Sequence, residues 1–199
     1  MSTSGEPNPK KHLPNLLSLS RIVLGLLIFF LLRKPLAVTA GLCLAFIGAG
    51  MITDYLDGTL ARRNNTVTLA GKWIDPLSDF TFFLFVYLSF YLLGLMPLVL
   101  LLLFLGREIL MYTLVRPLYY LRGMDPAAKI PGKIKTVFQN IGSAVITFLV
   151  LLHRLQFLGL GPLRSVSLVL LSLMVAMSLI SMYWYVKPLV ADRRSRSKS

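Results

Sequence analysis

Soft metal ligands are nearly missing from this chain, which has one cysteine, Cys43, and two histidines, His12 and His153. A lone cysteine excludes an internal disulfide. With so few sulfur and imidazole groups, a zinc or copper centre has no ligand set to draw on. Acidic residues are scarce as well, eight against 21 Lys and Arg in 199 residues. No internal repeat is visible, and no stretch reads as a separate soluble domain. What the sequence does have is apolar length, and inside it a small number of carboxylates.

Hydrophobic residues make up 56% of the chain and mean hydropathy is +0.72. That composition predicts an all-α polytopic membrane protein. Apolar runs of about 20 residues predict six transmembrane helices packed as a bundle. They fall near 14–32, 36–62, 71–93, 97–121, 132–153 and 163–187, with Gly and Pro at most of the breaks. Residues 1–12 read as a disordered, basic N-terminal segment, 13–190 as the membrane domain and 191–199 as a basic tail. The first apolar run begins near Leu13 and is long enough to span, so no cleavable signal peptide is expected.

The net charge of +13 would suggest nucleic acid in a soluble protein, but its distribution argues otherwise. Fifteen Lys and Arg fall at the N-terminus, between the second and third runs, between the fourth and fifth, and at the C-terminus; four lie on the opposite side. The positive-inside rule then predicts both termini, and the carboxylate site, on the cytoplasmic face of a bacterial inner membrane or its equivalent. The tail Arg193-Arg194-Ser195-Arg196-Ser197-Lys198 reads as a headgroup anchor rather than a nucleic-acid arm.

Four of the eight acids lie between Asp54 and Asp79, in the stretch D-Y-L-D-G-T-L-A-R-R-N-N-T-V-T-L-A-G-K-W-I-D-P-L-S-D. A central Asp in a membrane helix costs roughly 2.5–3.5 kcal/mol, so four uncompensated ones would cost on the order of 10–14 kcal/mol. Clustered oxygen ligands for divalent cations offset that cost most directly. Asp54 and Asp57 share one helix face, as do Asp75 and Asp79. A polar turn at Arg62-Arg63-Asn64-Asn65-Thr66 would fold the two helices antiparallel, setting Asp54 level with Asp79 and Asp57 level with Asp75. The tiers would stand about 4.5–6 Å apart along the axis. Oxygen-only ligation suits Mg²⁺, with Mn²⁺ or Ca²⁺ as alternatives, and a pair of such ions suits phosphoryl transfer. Gly58 would let a ligand approach the helix backbone, and Arg62 would meet a phosphate; helix packing and topology are the alternative reasons for these two residues.

The pattern D-x-x-D-G-x-x-A-R, eight residues, G, three residues, D, three residues, D resembles the signature of the CDP-alcohol phosphotransferase family. It is matched by Asp54, Asp57, Gly58, Ala61, Arg62, Gly71, Asp75 and Asp79. The resemblance implies a CDP-linked lipid donor, commonly CDP-diacylglycerol, with CMP as the leaving group, two Mg²⁺ ions (Mn²⁺ in their place as the alternative), and a homodimer. It implies Asp54, Asp57 and Asp75 as metal ligands, Asp79 as ligand or general base, and Gly58, Ala61, Arg62 and Gly71 at the nucleotide.

The acceptor alcohol is sought elsewhere in the chain. Arg107-Glu108-Ile109 lies in the fourth apolar run, Arg116 follows, and Ile130-Pro131-Gly132-Lys133-Ile134-Lys135-Thr136 opens the fifth. Arg107 beside Glu108 is explicable as a structural ion pair, and Lys133 and Lys135 as headgroup-facing charges; Lys133 and Lys135 near a helix N-terminus are equally placed to hold an anion. These segments, with Pro14-Asn15-Leu16-Leu17-Ser18-Leu19-Ser20-Arg21-Ile22, are similar to the bacterial phosphatidylglycerophosphate synthase branch of the family. That likeness implies glycerol 3-phosphate as the small phosphorylated acceptor, with Arg107, Arg116, Lys133 and Lys135 as phosphate contacts. Phosphatidylglycerol, as in cardiolipin synthesis, and inositol phosphate are the other acceptors weighed. A cation transporter would need polar residues through to the far side, where Phe82-Phe83-Leu84-Phe85-Val86 and Leu100-Leu101-Leu102-Leu103-Phe104 stand instead. A purely structural scaffold would leave the aspartates unexplained.

Overall fold

The computed structural model describes the backbone of residues 13–63, 69–124 and 130–196, and the side chains of 19–53, 76–124 and 132–190. Among the described residues all regular structure is helical. Six helices follow in order: α1 Leu13–Leu31, α2 Ala37–Arg63, α3 Leu69–Leu92, α4 Leu98–Leu121, α5 Ile130–Arg154 and α6 Leu160–Arg196. The expected segment 1–12, the polar turn at 64–66 and most of the loop before α5 lie outside the described residues.

The expectation of six transmembrane helices is corrected. Among the described residues three helices are long and apolar enough to cross a membrane: Leu98–Leu121, Gly132–Arg154 and Leu160–Val190. The other three contribute shorter apolar segments, Leu19–Leu31, Ala37–Thr53 and Pro76–Leu92, of 10–17 residues, against the roughly 20 that a bilayer core requires. These segments are counted over the described side chains; in sequence the same three helices also carry Arg21 in α1, Asp54, Asp57, Arg62 and Arg63 near the end of α2, and Lys72, Asp75 and Asp79 near the start of α3.

The contacts divide the chain into two compact units, Met1–Ser89 and Phe90–Ser199. In the first, α1 turns back onto α2 through residues 32–36, where the Thr39 hydroxyl donates to the Leu36 carbonyl at 2.7 Å and steadies the new helix start. Phe82 of α3 is the packing centre. A methyl added to Gly25 of α1 would lie 3.0 Å from the Phe82 Cα, and one added to Gly50 of α2 would lie 3.2 Å from its ring. Glycine at both places lets three helices converge on one aromatic.

In the second unit, α4 begins after a turn in which Gly94 takes a left-handed φ of +68°, with Leu95 N donating to the Phe90 carbonyl and Gly94 N to the Tyr91 carbonyl, both at 2.9 Å. This double bond pattern closes a helix end with a residue that has no Cβ to strain. Midway along α4, Met111–Val115 widens to a π turn. Met111 and Val115 at its two ends, and Tyr119 one turn on, are buried against Tyr185 and Leu189 of α6. α6 continues through Pro188, well past the expected end at 187. Near the proline, Tyr119 of α4 donates its hydroxyl to the Tyr185 carbonyl at 2.8 Å, and Arg122, just past α4, donates to the Leu189 carbonyl at 2.5 Å.

Candidate active site

In the first unit, Arg21 of α1 donates to the Asp79 Oδ1 of α3 and forms an ion pair with it. The Arg21 side chain is 4% exposed and that of Asp79 30%. An arginine in an apolar helix needs a counter-charge, and a carboxylate one turn before Phe82 meets it. Arg21 stands one turn before Gly25, so the ion pair and the Gly25–Phe82 approach are successive contacts along the same two helix faces. Arg21 entered the sequence reading only as part of a motif. The signal that could have identified it was its charge inside an apolar run beside a hairpin rich in Asp.

The Gly50–Phe82 contact lies on the register assigned to the α2–α3 hairpin from sequence. One turn further along each helix come Asp54 on α2 and Asp79 on α3. The backbones of Asp54, Asp57, Gly58, Ala61 and Arg62 belong to α2 and those of Gly71 and Asp75 to α3; their side chains lie outside the described residues. Among the described residues no group of three or more His, Cys, Asp or Glu side chains gathers as a metal site, so the expected metal centre is not seen there.

In the second unit the structure assembles a buried charged cluster from three helices. Glu108 Oε1 accepts from Arg107 Nη1 at 2.7 Å and also from Lys135 Nζ of α5. Arg107 reaches α6 too, its Nε donating to the Ser178 carbonyl at 3.2 Å and its Nη2 lying 3.5 Å from Ser181 Oγ. Arg107 and Glu108 are 5% and 4% exposed, and the Lys135 side chain 13%. α5 and α6 approach closely here because Gly132, one turn before Lys135, sits under the Tyr185 hydroxyl: an added methyl would lie 2.8 Å from it. Glu108 thus pairs with a cation from its own helix and one from α5.

Of the four sequence candidates for a phosphate contact, the structure therefore brings Arg107 and Lys135 together. Arg116 stacks its guanidinium 4.9 Å from the Tyr112 ring within α4, and Lys133 is exposed on α5. Sequence reasoning paired Glu108 with its neighbour Arg107 but missed the bridge to Lys135. Nothing local signals a contact between residues 27 positions apart.

Comparison with known proteins identifies the family. Residues 11–185 match the family model described as CDP-alcohol phosphatidyltransferase. The chain is 38% identical over 135 residues to an Aquifex aeolicus protein named CDP-diacylglycerol–glycerol-3-phosphate 3-phosphatidyltransferase, covering 65% of this chain and 72% of that one. It is 29% identical over 184 residues to a probable phosphatidylglycerophosphate synthase of Mycobacterium tuberculosis, covering 91% and 83%. It is 31% identical over 106 residues to a Streptomyces coelicolor protein named cardiolipin synthase (CMP-forming), covering 52% and 49%. The apolar spans place the chain in the membrane, the match takes in both charged groups, and the chain belongs to the CDP-alcohol phosphatidyltransferase family, with its transferase domain of phospholipid biosynthesis.

Proposed function

We propose that the chain transfers the phosphatidyl group of CDP-diacylglycerol to glycerol 3-phosphate, giving phosphatidylglycerophosphate and CMP. The observation that carries the choice of acceptor is the pairing of Arg107 with Lys135 across Glu108, a buried cationic pair suited to a phosphate. A lipid acceptor such as phosphatidylglycerol presents a phosphodiester of lower charge and would make less use of it. The Aquifex aeolicus relative, whose name gives glycerol 3-phosphate as its acceptor, supports the same choice.

Asp54, Asp57, Asp75 and Asp79 are an all-oxygen donor set, and the Asp79 side chain is 30% exposed while paired to Arg21. They fit Mg²⁺, or Mn²⁺ in its place, which when bound supplies charge stabilisation on the diphosphate. Gly58, Ala61, Arg62 and Gly71 bind the cytidine diphosphate portion, with Arg62 neutralising phosphate charge. The sn-1 hydroxyl of glycerol 3-phosphate attacks the phosphorus that bears the diacylglycerol. The new P–O bond forms as the bond to CMP breaks, CMP leaves with the electron pair, and Asp79 takes the hydroxyl proton. Arg21 holds the Asp79 carboxylate in orientation, which matters more for this base than basicity, since a carboxylate beside cations is a weak one. The aspartate-bearing helix ends face the cytoplasm, on the side where Lys and Arg are concentrated.

The test is CMP release by the purified protein with CDP-diacylglycerol and, in separate reactions, glycerol 3-phosphate, inositol phosphate and phosphatidylglycerol. Release with glycerol 3-phosphate alone is expected. Release with phosphatidylglycerol alone would assign the chain to cardiolipin formation.

A further inference from the structure

α5 and α6 are two of the spans, and the turn that joins them, residues 155–159, lies at the membrane surface remote from Lys135. From Lys135 to Arg154 α5 rises about 28 Å, close to the roughly 30 Å of a bilayer core. α6 carries no charge from Ser165 to Val186, about 33 Å of helix, with Arg164 at one limit and Lys187 at the other. At the second limit the Lys187 ammonium lies 5.2 Å from the Trp184 ring, an aromatic beside a cation as at a headgroup boundary. The Arg164 limit repeats that pairing of types with Phe157, which is 78% exposed. The turn itself holds the ring outward. Phe157 N donates to the Leu152 carbonyl at 2.9 Å, Gln156 N to the His153 carbonyl at 3.0 Å, and His153 Nδ1 to the Leu158 carbonyl at 2.8 Å.

Arg164 is exposed, and its Nη2 leans over the turn at Gly94, 3.7 Å from where a methyl on that glycine would stand. Among the described residues the one carboxylate of this unit is Glu108, which pairs with Lys135 near the other end of α5. Asp125 precedes α5 in sequence and Asp192 stands near the end of α6, so neither belongs to the turn between them. We infer that Arg164 and the α5–α6 turn form a docking surface for an anionic phospholipid of the leaflet on this side. The Phe157 ring enters the boundary between headgroups and acyl chains, and the Arg164 guanidinium donates to the headgroup phosphate, whose oxygens its planar fork can meet with two N–H groups at once. An anionic lipid fits better than a zwitterionic one, in which an ammonium of the headgroup already offsets the phosphate charge.

The test uses the full chain in neutral detergent, with Tm followed as phosphatidylserine, phosphatidylcholine or inorganic phosphate is added. Phosphatidylserine is chosen because it is neither donor nor acceptor in the proposed reaction. It is expected to raise Tm by about 2–4 °C more in the native chain than in Arg164→Gln, while phosphatidylcholine and inorganic phosphate affect the two alike. Arg164→Lys, which keeps the charge without the fork, should retain part of the gain. Equal gains from phosphatidylserine in the native chain and Arg164→Gln would overturn the inference. So would a gain from inorganic phosphate that Arg164→Gln loses, which would make this a site for a free anion and not for a lipid. Phe157→Trp gives a second measurement that does not depend on the folding of Arg164→Gln. In nanodiscs, the emission it adds to that of Trp73 and Trp184 should be quenched by lipids brominated near the glycerol end of their chains and spared by aqueous iodide. Quenching by iodide and not by the brominated lipid would place the ring in water and overturn the docking surface.

Discussion

Replacing Arg21 with Met removes a guanidinium whose side chain is 4% exposed and leaves the Asp79 carboxylate, 30% exposed, without that partner. Breaking a fully buried ion pair from one side costs about 3–5 kcal/mol. Asp79 retains part of its hydration, which lowers the expected cost to about 1–3 kcal/mol. For a chain of this size each kcal/mol moves Tm by about 2–4 °C, so Arg21→Met should melt about 2–12 °C lower in detergent. The assay is thermal denaturation followed by tryptophan fluorescence, repeated for Asp79→Asn and for the double variant. Because the two groups stabilise each other, the double variant should lose less than the two single variants together, with a coupling of about 1–2 kcal/mol. Turnover of Arg21→Met should fall as well, since the carboxylate it orients is the proposed base. Strictly additive Tm losses, or no loss in Arg21→Met, would refute the reasoning that this pair is what makes an arginine tolerable in α1.

Asp79→Asn should abolish turnover yet leave much of the CDP-diacylglycerol binding intact, as measured by protection or direct titration; equal loss of donor binding would make Asp79 purely a ligand. Chelation with EDTA should stop CMP release, and Mg²⁺ or Mn²⁺ should restore it while Zn²⁺ does not. Gln139 of α5 is 1% exposed and, among the described residues, both ends of its amide lack a hydrogen-bond partner, so Gln139→Met should leave stability equal or raise it by about 1–3 kcal/mol in thermal melts, with activity unchanged. Gln156 closes α5 with a left-handed φ of 67°, Gln156 N reaching the His153 carbonyl and Phe157 N the Leu152 carbonyl. Gln156→Gly should therefore stabilise the protein by about 0.5–1 kcal/mol in thermal melts, the relief of Cβ strain outweighing the entropy that glycine adds to the unfolded chain.

Helix positions were legible because Gly and Pro punctuate the apolar runs, and expected and observed boundaries agree within a few residues except at the end of α6. α6 runs to Arg196, continuing through Pro188, and nothing in the local sequence pattern marks that continuation. The π turn at Met111–Val115 leaves no mark in hydrophobic periodicity over so short a stretch. Among the described residues three of the six expected spans are long and apolar enough, and the expected runs for α1, α2 and α3 took in Arg21, Asp54, Asp57, Asp75 and Asp79 as if they were apolar length. At the site, spacing singled out the aspartates, and the Gly50–Phe82 approach falls on the hairpin register expected from it, while the side chains of Asp54, Asp57 and Asp75 lie outside the described residues. The partners that turn charges into a site were not: Arg21 meets Asp79 across 58 positions and Lys135 meets Glu108 across 27, and such pairings are set by packing around Phe82 and Gly132 rather than by local pattern.

The account stands on phosphatidyl transfer to a phosphorylated alcohol. Its most direct measurement is mass spectrometry of the lipid formed when the purified chain is given CDP-diacylglycerol, glycerol 3-phosphate and Mg²⁺, with CMP quantified in the same reaction. One phosphatidylglycerophosphate per CMP is the predicted result. CMP accompanied by phosphatidic acid would mean that water, not the bound alcohol, attacks the phosphorus, and would contradict it.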